Sequence, residues 1–118
     1  MPKSTVKSAT IYHNPRCTTS QHVLAMIEAA GVKPKVVEYL KVGWTKPQLK
    51  ALFAAAGLTP REAMRKKAAD DLGISEKATA VQILDAMVAN PVLVERPFVE
   101  TSKGTVLARP KERVKEIL

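Results

Sequence analysis

The chain has 118 residues, 46% of them hydrophobic and 25% charged, which suits one globular domain with a core of its own. Its apolar runs are too short to span a bilayer, and 4% aromatic residues are too few for a base-stacking platform, which argues against membrane and nucleic-acid partners. The formal net charge of +8 rests on lysines scattered along the chain, only Lys66 and Lys67 being adjacent, and reads as solubility plus a pull on small anions.

In chain order, residues 1–7 are polar and read as a loose N-terminus. They carry neither the apolar core nor the cleavage site of a signal peptide, so the expected compartment is the cytoplasm. The run SATIYH (8–13) is β-prone, with Ile11 and Tyr12 on opposite faces. After the Asn14-Pro15 turn signal comes a helical pattern in which Val23, Leu24 and Ile27 share a face and Gly31 ends the helix. KVVEYL (35–40) reads as a second strand, which completes a βαβ unit with parallel strands. A helix from Thr45 to Gly57 opens with capping-box spacing at Thr45 and Gln48, and Leu49, Leu52, Phe53 and Ala56 form its apolar face. The signal repeats at Thr59, Pro60 and Glu62, predicting a short helix that brings along Arg65, Lys66 and Lys67. Residues 79–90 form another capped helix with Leu84, Met87 and Val88 facing the core, and Pro91 stops it. The chain then turns to a β-hairpin around Lys103-Gly104 and a final helix with Pro110 in its first turn. The sum is an α/β fold: a four-stranded mixed sheet in the order β-α-β, then β-β-α, with an inserted helical region.

Cys17, the only cysteine, sits where the first strand turns into a helix. One cysteine excludes an internal disulfide, a CxxC pair and a Cys-rich zinc site, and two histidines do not rescue a metal site. A thiol at a helix N-terminus meets unpartnered N–H groups and the positive end of the macrodipole, both of which favour the thiolate. A packing role for Cys17 predicts apolar neighbours, yet the flanks are Asn, Pro, Arg, Thr, Thr and Ser. That setting suits a solvent-facing anion loop and a reactive thiol. Arg16 and His13 stand near enough in sequence to add positive charge, and Ser20, one turn on, to donate a hydrogen bond to the sulfur. A cysteine-phosphatase loop is excluded, because C-x5-R requires arginine where Val23 stands. Any arginine that holds an oxyanion must come from elsewhere in the chain.

IYHNPRCTTS (11–20) resembles the signature of the glutaredoxin-coupled arsenate reductases, the ArsC family. The likeness continues in register through EYL, REAMRKK, NPVLVERPFV and GTVLARP, nearly the whole chain from Thr10 onward. The resemblance implies a thioredoxin-like fold, with Cys17 as nucleophile, His13 helping to keep it ionised and Ser20 hydrogen-bonding the sulfur. It also implies that Arg65, Arg96 and Arg109 bind the oxyanion, and that the Arg96-Pro97 bond is cis and faces the cysteine. The activity implied is reduction of arsenate to arsenite, with glutathione as co-substrate, glutaredoxin as partner, and no tightly bound cofactor or metal. Two rivals stand beside it. One is a glutathione-dependent thiol or mixed-disulfide reductase on the same fold. The other is a Spx-like regulator that binds RNA polymerase, although Ser20 occupies the place where many such proteins carry a second cysteine. Lys66, Lys67 and His22 read as surface residues.

Overall fold

The computed structural model describes residues 4–118. The chain divides into two compact units, one running to Tyr39 and resuming at Arg96–Leu118, the other Leu40–Glu95.

The first unit holds the sheet. β1 (Ser8–Tyr12) leads through the thiol loop into α1 (Thr18–Ala29), and β2 (Lys33–Val37) returns parallel to β1, with Ser8 beside Lys33 and Tyr12 beside Val37. After the second unit the chain re-enters as β3 (Phe98–Thr101) and β4 (Gly104–Leu107), and the sheet order is β2-β1-β3-β4. β3 runs antiparallel to both β1 and β4. The expected four-stranded mixed sheet is present. Ile11, Val23, Ile27, Val99, Val106, Ala108, Val114 and Ile117 are its buried centre. Ser20, Val23 and Ile27 form the buried stripe of α1, at i, i+3 and i+7. The chain ends in a tight 3-10 segment, Lys111–Ile117, that packs on α1 and β4.

Residues 4–7 belong to this unit: Ser4 N donates to Ala30 O at 3.0 Å, and Val6 is buried. The rest of the expected loose N-terminus, residues 1–3, lies outside the described residues.

The second unit is helical: α2 (Tyr39–Val42, entered from the first unit), α3 (Lys46–Ala56), α4 (Lys66–Leu72), α5 (Ala80–Ala89) and a 3-10 turn, Pro91–Leu93. Thr45 and Gln48 close a reciprocal capping box on α3, and Thr79 and Gln82 close one on α5. Gly57, at φ 71, ends α3 in the left-handed conformation that glycine adopts without cost.

Four expectations need correction. β2 stops at Val37, and Tyr39 and Leu40 open α2 instead of extending the strand, with Tyr39 buried. The box at Thr59 and Glu62 forms as predicted, yet it closes a turn and no helix. The cause lies in long-range pairing: Met64 bridges Val94, Arg65 N donates to Leu93 O, and Glu95 N donates to Ala63 O, which draws the backbone out of helical geometry. Arg65 is therefore the N-cap residue of α4 and not part of a preceding helix. On α5 the buried residues are Ile83, Leu84 and Met87, while Val88 is exposed, so the buried stripe is phased one residue from the expected one.

Candidate active site

Strand register brings three loops to one end of the sheet. Tyr12, the last residue of β1, pairs with Phe98, the first of β3, and Phe98 pairs with Leu107, the last of β4. The segment leaving β1 (13–17), the one entering β3 (96–97) and the one leaving β4 (108–109) must therefore lie together. Ala108 N donates to Pro97 O at 2.9 Å, and an Arg109 Nη1 donates to Arg96 O at 3.3 Å. Both Arg96-Pro97 and Arg109-Pro110 are cis peptide bonds; the first was expected and the second was not.

The loop from His13 to Cys17 is held by its own polar atoms. His13 N extends the parallel ladder to Val37 O at 2.8 Å. Asn14 then makes three hydrogen bonds: its side-chain oxygen accepts from Arg16 N (3.0 Å), its carbonyl from Cys17 N (3.0 Å), and its N–H donates to the Ser20 hydroxyl (3.1 Å). The same hydroxyl lies 2.6 Å from His13 Nδ1. His13, Asn14 and Ser20 are all buried, so this small network satisfies groups that would otherwise be costly to bury. Asn14 is the residue that sequence reasoning used only as a turn marker. Its Asx turn, bonding two residues on, is the local signal that points to more.

Cys17 is the N-cap residue of α1. Its side chain closes no capping hydrogen bond as a thiol, unlike Thr45 and Thr79. Burial, the largest influence, pushes the thiol pKa up. The backbone N–H of Ser20, the charge and hydrogen bond of the Arg96 guanidinium, and the N–H of Thr19 act against it. The balance leaves Cys17 below its ordinary value, an acidified nucleophile at a helix start.

Two details differ from expectation. The group of Ser20 that favours the ionised sulfur is its backbone N–H, while its hydroxyl serves His13 and Asn14. Burial holds His13 below the ordinary imidazole value, against the nearby Glu38 carboxylate that raises it, so at neutral pH the ring is neutral and adds no positive charge. His13 holds Ser20 instead. Cys17, His13, Ser20, Arg96 and Arg109 all belong to the sheet-bearing unit. Arg65 belongs to the helical unit, half-buried at the start of α4, with exposed Lys66 and Lys67 following. Among the described residues no cluster of three or more His, Cys, Asp or Glu side chains could hold a metal ion, and no helix is long and apolar enough to cross a membrane.

The sequence model of the ArsC family matches residues 12–117. The chain is 59% identical to the arsenate reductase ArsI2 of Synechocystis sp. over 92% of its own length and 79% of that protein's. It is 40% identical to the arsenate reductase of Escherichia coli over 96% of its length and 82% of that protein's. Among solved structures, the arsenate reductase from Vibrio cholerae superimposes with a TM-score of 0.89 at 35% identity, over 96% of this chain and 99% of that one. The thioredoxin-like fold is that of these relatives.

Proposed function

The chain belongs to the ArsC family, and from that premise we propose that it is an arsenate reductase that draws its electrons from glutathione and a glutaredoxin. The observation that carries the reading is the convergence at Cys17: the only thiol of the chain is acidified at the N-cap of α1 with the Arg96 guanidinium against it. A thiolate beside a planar fork donor suits attack on a tetrahedral oxyanion that the same guanidinium holds.

In this mechanism arsenate docks over the start of α1, held by backbone N–H groups and by Arg96 and Arg109. The Cys17 thiolate attacks arsenic and one hydroxyl leaves as water, forming a sulfur–arsenic(V) bond. Glutathione displaces a second hydroxyl as water and leaves arsenic bonded to two sulfurs. A glutaredoxin thiol then attacks the glutathione sulfur. The sulfur–arsenic bond breaks, its electron pair stays on arsenic as arsenic(III), the glutaredoxin proton passes to an arsenic-bound oxygen, and a glutaredoxin–glutathione disulfide forms. Water splits the remaining Cys17–arsenic bond, releasing arsenite and the thiol. Ser20 in place of a second cysteine fits this scheme, because the protein cannot close its own disulfide and must take the second thiol from outside. The neutral His13 and Ser20 hold the loop that presents Cys17. A thiolate cycle of this kind suits a reducing compartment, which supports a cytoplasmic assignment. Phosphate has nearly the same shape as arsenate, so selectivity resides in the chemical step, where sulfur reduces arsenic(V).

The test is arsenate-dependent NADPH oxidation in a coupled assay with glutathione, glutaredoxin and glutathione reductase. Turnover by the wild-type protein that Cys17→Ser abolishes is the expected result. Equal rates for the two proteins, or none for the wild type, overturn the reading.

A further inference from the structure

Beside the thiol, the sheet-bearing unit carries a cleft of about 440 Å³ lined by Thr19 and His22 of α1 and by Arg109, Pro110, Lys111 and Glu112, which follow β4. We propose that this cleft is the subsite for the thiol co-substrate, an anionic thiol peptide of the glutathione type, and that Lys111 and Glu112 set its affinity. The proposal rests on the glutathione reading above.

Three observations carry it. The first is position: the N–H of Thr19 favours the Cys17 thiolate while its residue lines the cleft. Arg109 lines the cleft too and donates to the carbonyl of Arg96, whose guanidinium meets the sulfur. A sulfur delivered from this cleft therefore arrives at the oxyanion end of the site. The second is size, since the volume falls within the range of pockets that enclose small ligands. The third is charge order. Lys111 is half-buried and Glu112 exposed, so the wall carries an ammonium and a carboxylate on adjacent residues, with Arg109 also in the lining. A glutathione-type peptide carries two carboxylates and one ammonium. Lys111 matches one of the carboxylates, and Glu112 the ammonium. Neither Lys111 nor Glu112 has a role in the oxyanion site.

Two measurements test this. S-methylglutathione, which binds without reacting, is titrated into isotopically labelled protein; the amide signals of Thr19, His22, Lys111 and Glu112 are expected to shift together. In the coupled assay, Lys111→Glu is expected to raise the KM for glutathione about tenfold and leave the KM for arsenate unchanged, with a smaller rise for Glu112→Gln. Shifts confined to residues elsewhere, or an unchanged glutathione KM in Lys111→Glu, overturn the subsite while leaving arsenate reduction standing. If the wild-type protein reduces no arsenate, the function falls, and the titration still decides whether the cleft binds the peptide.

Discussion

The start of α1 differs in kind from those of α3 and α5. In the helical unit, α3 and α5 begin with threonine side chains that accept from the N3 backbone N–H, with glutamine reaching back. In the sheet-bearing unit, α1 begins with a cysteine whose side chain makes no such bond, and its first-turn N–H groups are directed to the sulfur's chemistry. A good N-cap is worth roughly 1 kcal/mol, so α1 forgoes local stability where α3 and α5 secure it. The Asn14, Ser20 and His13 hydrogen bonds hold the loop in place of the missing cap. The difference teaches that the reactive start of α1 is fixed by its surroundings, and those of α3 and α5 by their own side chains.

The largest effect expected from breaking this contrast is at Cys17. Cys17→Ser should lower arsenate reduction by at least about a thousandfold, while serine, a preferred N-cap, keeps or raises the unfolding free energy by about 0.5–1 kcal/mol. Clear destabilisation in urea unfolding would mean that Cys17 is a packing residue. Next in size is Arg96→Ala. Removing the guanidinium should raise the thiol pKa, read as thiolate absorbance at 240 nm, and lower kcat/KM by about a hundredfold.

The same titration sets a pH dependence. The folded pKa of Cys17 is depressed, so its contribution to stability is present above the unfolded thiol value and is lost as pH falls through the folded value. The acid limb of activity should follow the same titration, with the rate dropping as pH falls through the folded pKa. In Arg96→Ala that limb should move to higher pH; an unmoved limb would show that Arg96 does not tune the thiol.

Smaller still is Ser20→Ala, which leaves the buried Asn14 N–H without its acceptor and should cost roughly 1–3 kcal/mol in urea unfolding. The least is expected from Thr45→Ala and Thr79→Ala, each costing about 1 kcal/mol with the glutathione-coupled rate intact. If either threonine variant lost activity while folded, the separation of structural from reactive helix starts would fail.

Much of this was legible in sequence because it is local. The box spacings at Thr45 and Thr59, the capped helix at 79–90, the hairpin at Lys103-Gly104 and the thiol at the strand–helix junction rest on spacings within a few residues. What eluded the sequence depends on contacts far along the chain. Thr59 and Glu62 form their box, and it is the pairing of residues 63–65 with 93–95 that stops a helix from following. His13 looked like a source of charge, since nothing local reveals that burial keeps its ring neutral. Val88 has the spacing of an apolar face, yet the buried stripe of α5 runs through Ile83, and only packing chooses between those phases.

β2, at one margin of the sheet, reads Lys33-Pro34-Lys35. Lys33 directs its N–H inward to Lys7 O, so the alternation of the strand turns the Pro34 nitrogen outward, where an incoming strand would seek a donor and find none. Two flanking ammonium groups would also have to shed water before another chain could add there. The sheet that presents Cys17 is in this way shielded at that margin from growing by recruitment of other molecules.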